Sequence, residues 1–208
     1  MKVVVTRAAE RSVQLAASLR AAGHEAQFVP LTAIEPAAPF PDPKGFDGVL
    51  FTSASAVARA STDSAWPRVG AVGLATAAAL RQRGIRVDVV GSGGGAELAA
   101  AWGSAAGQRL LLPQAEEAHP ALAAALRAAD AEVVTVGVYR SVCIPDVDIA
   151  PFREADVICF FAPSHVAAFR ALRVRTEARF WGVGPTTRAA MDGMPPLQGH
   201  LDGLENVP

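Results

Sequence analysis

The chain has only two cysteines in 208 residues, Cys143 and Cys159, too few for a disulfide framework and without the paired spacing of a thiolate metal site. Both read as inert packing residues of a protein kept in a reducing compartment. Lysine is nearly missing: 17 of the 19 basic residues are arginine, leaving Lys2 and Lys44, and 20 acidic residues bring the net charge to -1. Such a balanced surface argues against a nucleic-acid partner and against an acidic solvating tail. No apolar run approaches the roughly 20 residues of a membrane span, and the opening MKVVVTRAAER is too short in apolar residues for a signal peptide. The expectation is a cytoplasmic chain with no membrane partner. The four histidines, His24, His119, His165 and His200, sit at spacings that match no zinc signature, so no metal is expected and each reads as a surface or helix-end residue. Aromatic residues are sparse, and Tyr139 is the single tyrosine.

What the chain does have is a series of short apolar runs ending in small or hydroxyl residues. They are VVVT (3–6), VLFTS (49–53), VGAVG (69–73), VDVVG (87–91), LLLP (110–113), VICFF (157–161) and FWGVG (180–184). Runs apolar at every position suit strands buried on both faces, hence parallel sheets covered by helices. Between them lie Ala-rich segments with the i, i+4 pairs Leu15 and Leu19, Leu98 and Trp102, Leu122 and Leu126, closed by Gly23 and Gly84 as helix stops. The alternation defines an α/β class.

The chain also resembles itself. KVVVTRAAERSVQLAASLRAAGHEAQFVPL matches RLLLPQAEEAHPALAAALRAADAEVVTVGV, FDGVLFTSASAVARA matches EADVICFFAPSHVAAFRA, and RVGAVGLATAAALRQRG matches RFWGVGPTTRAAMDG. The order is A, B, A′, B′. Both A units are followed by Pro-bearing connectors, LTAIEPAAPFPDPKG and VYRSVCIPDVDIAPF, which read as paired crossings between domains. This predicts two parallel-sheet α/β domains with interleaved connectivity: 1–34 plus 146–208 as a discontinuous domain and 41–137 inserted into it. Residues 35–40 and 138–145 are then linker strands, a two-stranded β ribbon acting as a hinge. A tandem pairing of A with B and A′ with B′ is the structural alternative.

In this order and spacing, VVVTRAAE, AAGHEAQFVPLTAIEP, FTSASAV, VGLATAAALRQRGIRVDVV, LLLPQAEEAHPALAAALRAADAEV, VYRSV and VGPTTRAAM resemble the uroporphyrinogen-III synthase family over nearly all of residues 1–193. The resemblance implies two α/β domains with a cleft between them and no cofactor. It also implies a lyase reaction that closes linear hydroxymethylbilane to uroporphyrinogen III with loss of water and inversion of ring D, in the haem pathway. A monomer suffices for this. The chain departs from the family pattern at Ala8, where a proline usually follows the arginine, and at Gln114 and His119, where arginines are common. The stretch after residue 193 lacks an Ala-rich final helix.

A substrate with eight carboxylates needs many anion-binding donors, and the first amides of a helix that follows a parallel strand supply them. The turns in question carry Thr52, Ser53 and Ser55; Gly73 and Thr76; Gly91 through Gly95; Ser164; and Gly184, Thr186 and Thr187. Hydrogen bonds to charged groups contribute about 1.5 to 3 kcal/mol each, so several could hold the substrate with few cations. Ser and Thr at these positions are also ordinary helix caps. Arg7 and Arg140 are the candidate guanidinium partners for carboxylates. The resemblance assigns catalysis to Tyr139 in VYRSV, as hydrogen-bond donor to the departing hydroxyl of ring A.

Two rival readings stand beside this one. GSGGGA (91–96) follows a strand, opens a helix and has Glu116 about 20 residues on, the pattern of a dinucleotide-binding enzyme. Alternatively the fold is a non-catalytic sensor that binds a tetrapyrrole or other polyacid without converting it.

Overall fold

The computed structural model describes residues 1–9, 12–62 and 65–198. His200 and the rest of the segment from 199 onward lie outside the described residues. Two compact units are formed: an outer unit of Met1–Ala33 with the chain from Ser141 onward, and an insert unit of Ile34–Arg140.

The outer unit is built on β1 (Lys2–Val5), α1 (Val13–Ala21) and β2 (Glu25–Phe28). The insert unit follows a strand at the first chain crossing, β3 (Thr32–Pro36), with β4 (Gly48–Phe51), α2 (Ala54–Val57), β5 (Arg68–Ala71), α3 (Leu74–Gln82), β6 (Val89–Val90), α4 (Gly95–Trp102), β7 (Arg109–Ala115) and α5 (Ala121–Ala128). β8 (Glu132–Cys143) carries the chain back across the boundary. The outer unit is then completed by α6 (Ala150–Glu154), β9 (Val157–Phe160), α7 (Pro163–Leu172), β10 (Arg179–Gly182) and α8 (Gly184–Ala190).

Strand pairing shows how the repeats combine. The outer sheet runs β10-β9-β1-β2, all parallel, with Val3 opposite Val157 and Phe180 opposite Ile158. The other sheet runs β3-β8-β7-β4-β5-β6, in which β4 is parallel to both β5 and β7, with Gly48 opposite Leu110. A therefore pairs with B′ and B with A′, and the tandem arrangement does not occur. The crossing strands differ in extent from the expected 35–40 and 138–145. β3 lies earlier, ending at Pro36, although Ala37 and Ala38 still donate to the carbonyls of Val138 and Gly137. β8 is one strand of 12 residues whose first part, from Glu132 to Tyr139, pairs with β7 through a register shift at Gln114 and Ala115.

The both-face burial read from the apolar runs is visible in β4 (GVLF) and β9 (VICF), buried at every residue. Alternate residues feed opposite faces. In the outer unit Val4, Ile158 and Phe160 join Phe169 and Phe180 on one face, while Val3, Val5, Val157 and Cys159 meet Leu15 and Leu19 of α1 on the other. In the insert unit Val49, Phe51 and Leu111 lie on one face, and Leu50, Leu110 and Leu112 pack against Leu98, Trp102, Leu122 and Leu126 of α4 and α5 on the other. The absence of a side chain at Gly48 makes room for Trp102: a Cβ there would overlap the indole.

Cys159 is fully buried, and burial alone pushes its thiol well above the ordinary range. Cys143 is exposed at the end of β8, so its reading as a packing residue is corrected: the strand has left the sheet's covered region there. His165, read as a surface or helix-end residue, stands at a helix end, in the first turn of α7, where it is 9 % exposed. His24 follows Gly23 just beyond the end of α1, and its ring nitrogens are shielded without a hydrogen-bond partner among the described residues.

Candidate functional site

Parallel strands place all their carboxyl ends on one edge of a sheet, so the turns singled out in the sequence gather by unit. In the insert unit β4 ends at Thr52 and Ser53, β5 at Gly73 and β6 at Gly91. Because β8 runs parallel to β7 with Tyr139 opposite Ala115, the last residue of β7, Tyr139 reaches the same edge. There its phenol oxygen lies 3.0 Å from Ser53 Oγ. Ser53 is also the N-cap of α2, accepting from Ala56 N–H at 3.2 Å. Its oxygen thus has one lone pair engaged by the helix, and its own proton remains available to the tyrosine. Thr52 and Tyr139 are half-buried, the latter packed against the Val49, Phe51 and Val138 cluster.

The turns after β5 and β6 also meet: Gly93 N–H donates to Val72 O at 2.9 Å, and a Cβ on Gly73 would lie 3.6 Å from Gly93 Cα. Gly73 is the N-cap of α3 and Gly94 of α4, and neither helix has a side-chain cap. The first bonds within these helices run from Ala77 N–H to Gly73 O and from Leu98 N–H to Gly94 O, so the amides before them face the strand-end edge.

In the outer unit β1 leads to Arg7, β9 to Ser164 and β10 to Gly184. The N-caps of α7 and α8 are Ala162 and Val183, again without a side-chain bond. Of the five turns, then, only the one after β4 is capped by a side chain. Ser164 is half-buried and Thr186 exposed, whereas Ser55, Thr76 and Thr187 turn inward and are buried. For those three the backbone is what faces the strand-end edge. Gly184 adopts φ +70, a conformation that a side chain would strain. Arg7 sets its guanidinium 5.6 Å above the ring of Phe161. Arg140 is held by Glu35, its Nε and an Nη both donating to Oε2 at 3.2 and 3.1 Å. Its carboxylate partner is therefore already inside the protein, in an exposed pair of small energetic weight.

Sequence reasoning missed three features here. Leu74, the first residue of α3, is 79 % exposed beside Gly73 at the strand-end edge. His165 is paired with Thr6: the threonine hydroxyl donates its one proton to Cys159 O at 2.8 Å, so it accepts from His165 Nδ1 at 2.9 Å. That fixes a proton on Nδ1. Phe161 packs edge-on against Trp181 and near His165, which makes an aromatic floor next to Arg7. An apolar residue at a helix start and a histidine within an Ala-rich helix carry no pattern that sets them apart from core residues. His119, where the family often has arginine, accepts from Ala121 N–H at the start of α5 through Nδ1.

The dinucleotide reading fails on topology. β6, which precedes GSGGGA, is a two-residue strand at the sheet edge, and β7, which precedes Glu116, is separated from it by β4 and β5. At about 4.8 Å per strand the acid stands roughly 14 Å from the glycine turn, too far to hold the ribose of the same nucleotide. Among the described residues no three His, Cys, Asp or Glu side chains cluster as metal ligands, and no helix is long and apolar enough to cross a membrane.

Two parallel α/β units with shuffled repeats, and helix starts left open along the carboxyl edges of their sheets, define a protein suited to a polyanionic small molecule. The sequence profile described as uroporphyrinogen-III synthase HemD matches residues 13–196. Among solved structures, the uroporphyrinogen-III synthetase of Helicobacter pylori 26695 is 18% identical with a TM-score of 0.67, covering 94% of this chain and 90% of that one. A mutant uroporphyrinogen III synthase from the extreme thermophile Thermus thermophilus is 20% identical with a TM-score of 0.57, at 94% and 90% coverage. No individually curated protein matches the chain. The chain belongs to the uroporphyrinogen-III synthase family, enzymes of tetrapyrrole synthesis that act on hydroxymethylbilane.

Proposed function

We propose that the chain is a lyase that closes hydroxymethylbilane to uroporphyrinogen III, working as a cytoplasmic monomer without a cofactor. The observation that carries the chemistry is the 3.0 Å contact between Ser53 Oγ and the Tyr139 hydroxyl at the carboxyl edge of the insert sheet. In this scheme the Ser53 hydroxyl, which accepts from Ala56 N–H, donates to the phenol oxygen, and the Tyr139 proton is directed to the hydroxyl leaving ring A. A phenol, with a pKa near ~10 in model compounds, assists by hydrogen bonding and not by full transfer. The C–O bond breaks as the ring A pyrrole nitrogen releases electrons; hydroxide leaves hydrogen-bonded to Tyr139 and takes the pyrrole N–H proton to depart as water. The resulting azafulvene is attacked by the substituted carbon of ring D. The spiro intermediate fragments and recloses with ring D inverted, and loss of a proton restores the pyrrole. The protein's main contribution is to hold the two chain ends in that geometry.

Carboxylates of the substrate are bound by backbone amides at Gly73, Ser164 and Gly184 and, in the 91–95 turn, at Ser92, Gly94 and Gly95, since Gly91 and Gly93 donate to Ala71 O and Val72 O; Thr52, Thr186 and Arg7 add side-chain donors. Ser55, Thr76 and Thr187 act in this scheme through their amides, since their side chains are buried. Arg140 contributes only if the substrate displaces Glu35. Support for this reading comes from four of the five turns lacking a side-chain cap, because amides already satisfied by caps would not bind an anion.

Turnover of the Tyr139→Phe and Ser53→Ala variants on freshly made hydroxymethylbilane tests the pair. Tyr139→Phe should lower kcat by about one to two orders of magnitude with little change in KM, and Ser53→Ala by a smaller factor. Unchanged kcat in Tyr139→Phe would remove the tyrosine from the reaction.

A further inference from the structure

A groove of about 640 Å³ opens on the outer unit where α7 gives way to the loop leading into β10. It lies at the amino end of β10, whereas the turns that serve the proposed reaction follow the carboxyl ends. Among the described residues three guanidiniums line it, Arg170, Arg173 and Arg175, against one carboxylate, that of Glu177. Arg170 donates to the carbonyl oxygens of Ala190 and Asp192, which fix the side chain, and among the described residues it has no carboxylate partner. Among the described residues the side chains of Arg173 and Arg175 have no hydrogen-bond or ion-pair partner.

The backbone adds a second observation. α7 ends on Arg173 at φ 51 and ψ 35, the left-handed position that helices ordinarily give to glycine or asparagine. A cationic side chain thus stands at a strained backbone position at the lip of the groove. The remaining wall is apolar: Val174 and Met194 are half-buried beside the ring edges of Phe169 and Phe180. A volume of this size suits a small organic molecule and far exceeds a bare inorganic anion.

We propose that this groove is a second binding site, distinct from the strand-end edge, for a small organic polycarboxylate with a flat apolar body. Arg173 and Arg175 fork onto carboxylates, Arg170 supplies fixed positive charge, and the body covers Val174 and Met194.

The test is an amide-resolved NMR titration of the full chain with benzene-1,2,4-tricarboxylate, with inorganic phosphate as the comparison. The tricarboxylate should give saturable shifts at Val174–Ala178 and Met194, and phosphate should bind the same residues about tenfold more weakly or not at all. Arg173→Gly relieves the left-handed backbone while deleting the guanidinium, so its fold is retained, and it should weaken the tricarboxylate about tenfold; Arg175→Ala should do the same. Shifts that do not saturate, that fall elsewhere on the chain, that persist unchanged in Arg173→Gly, or that phosphate reproduces with equal affinity would overturn the proposal.

Discussion

Ser53 Oγ accepts from Ala56 N–H and lies 3.0 Å from the Tyr139 hydroxyl, so the helix engages one of its two lone pairs. The same counting of donors and acceptors at Thr6 assigns the His165 proton to Nδ1. Exposure separates the two cysteines just as sharply. Cys143 is open to solvent, while Cys159 is buried with its thiol pushed up, which suppresses the reactive thiolate. Titration of the native protein with an aromatic disulfide reagent should therefore release one equivalent of thiolate quickly and a second only after denaturation. Two fast equivalents would show that the β1 and β9 region opens readily. The burial of Cys159 and the capping role of Ser53 were readable in the sequence, but the Ser53–Tyr139 and Thr6–His165 pairs and the exposure of Cys143 were not, because they depend on contacts between residues far apart in the chain.

Elements were legible where burial is on both faces. β4 and β9 carry apolar residues at every position because helices cover both sides, and their limits differ from the expected runs by a residue or two. β2 and β8 are less legible: Glu25–Phe28 alternates between exposed and half-buried at the sheet edge, and β8 mixes exposed residues with a single fully buried one, Val138. An edge strand such as β2 has fewer core contacts to print on its composition, whereas β8 is an interior strand that runs on beyond the end of its pairing with β7. Gly48 shows how one position governs an element pair. Gly48→Ala would drive a methyl into Trp102 of α4, and overpacking of this kind costs about 1 to 3 kcal/mol. A lower urea midpoint at unchanged slope is expected; an unchanged midpoint would mean that the indole moves aside freely. The open start of α3 is testable too. Proline is accepted at the first helical position, and Gly73 before it is extended, so Leu74→Pro should preserve the fold while deleting one amide donor. KM for hydroxymethylbilane should rise about tenfold relative to Leu74→Ala, which removes the same exposed side chain but keeps the amide. Equal KM values would take the α3 start out of substrate binding.

For the whole molecule, the repeat order A, B, A′, B′ was legible as internal similarity, and the matched Pro-bearing connectors pointed to interleaving. Only strand pairing separates that from a tandem arrangement: β1 lies against β9 and β4 against β7. The resulting insert places Tyr139 on the strand that leads back to the outer unit, close to the boundary at Arg140. Family membership then joins this architecture to a substrate whose closure is geometrically demanding. Hydroxymethylbilane closes spontaneously without inverting ring D, so the protein's presence must be read in the product isomer and not merely in ring formation. The decisive measurement is to incubate the protein with freshly generated hydroxymethylbilane, oxidise the products and separate the porphyrin isomers. Isomer III in excess, falling toward isomer I in Tyr139→Phe, is the predicted result; isomer I alone with the wild-type chain would contradict catalysis and leave a protein that only binds the tetrapyrrole.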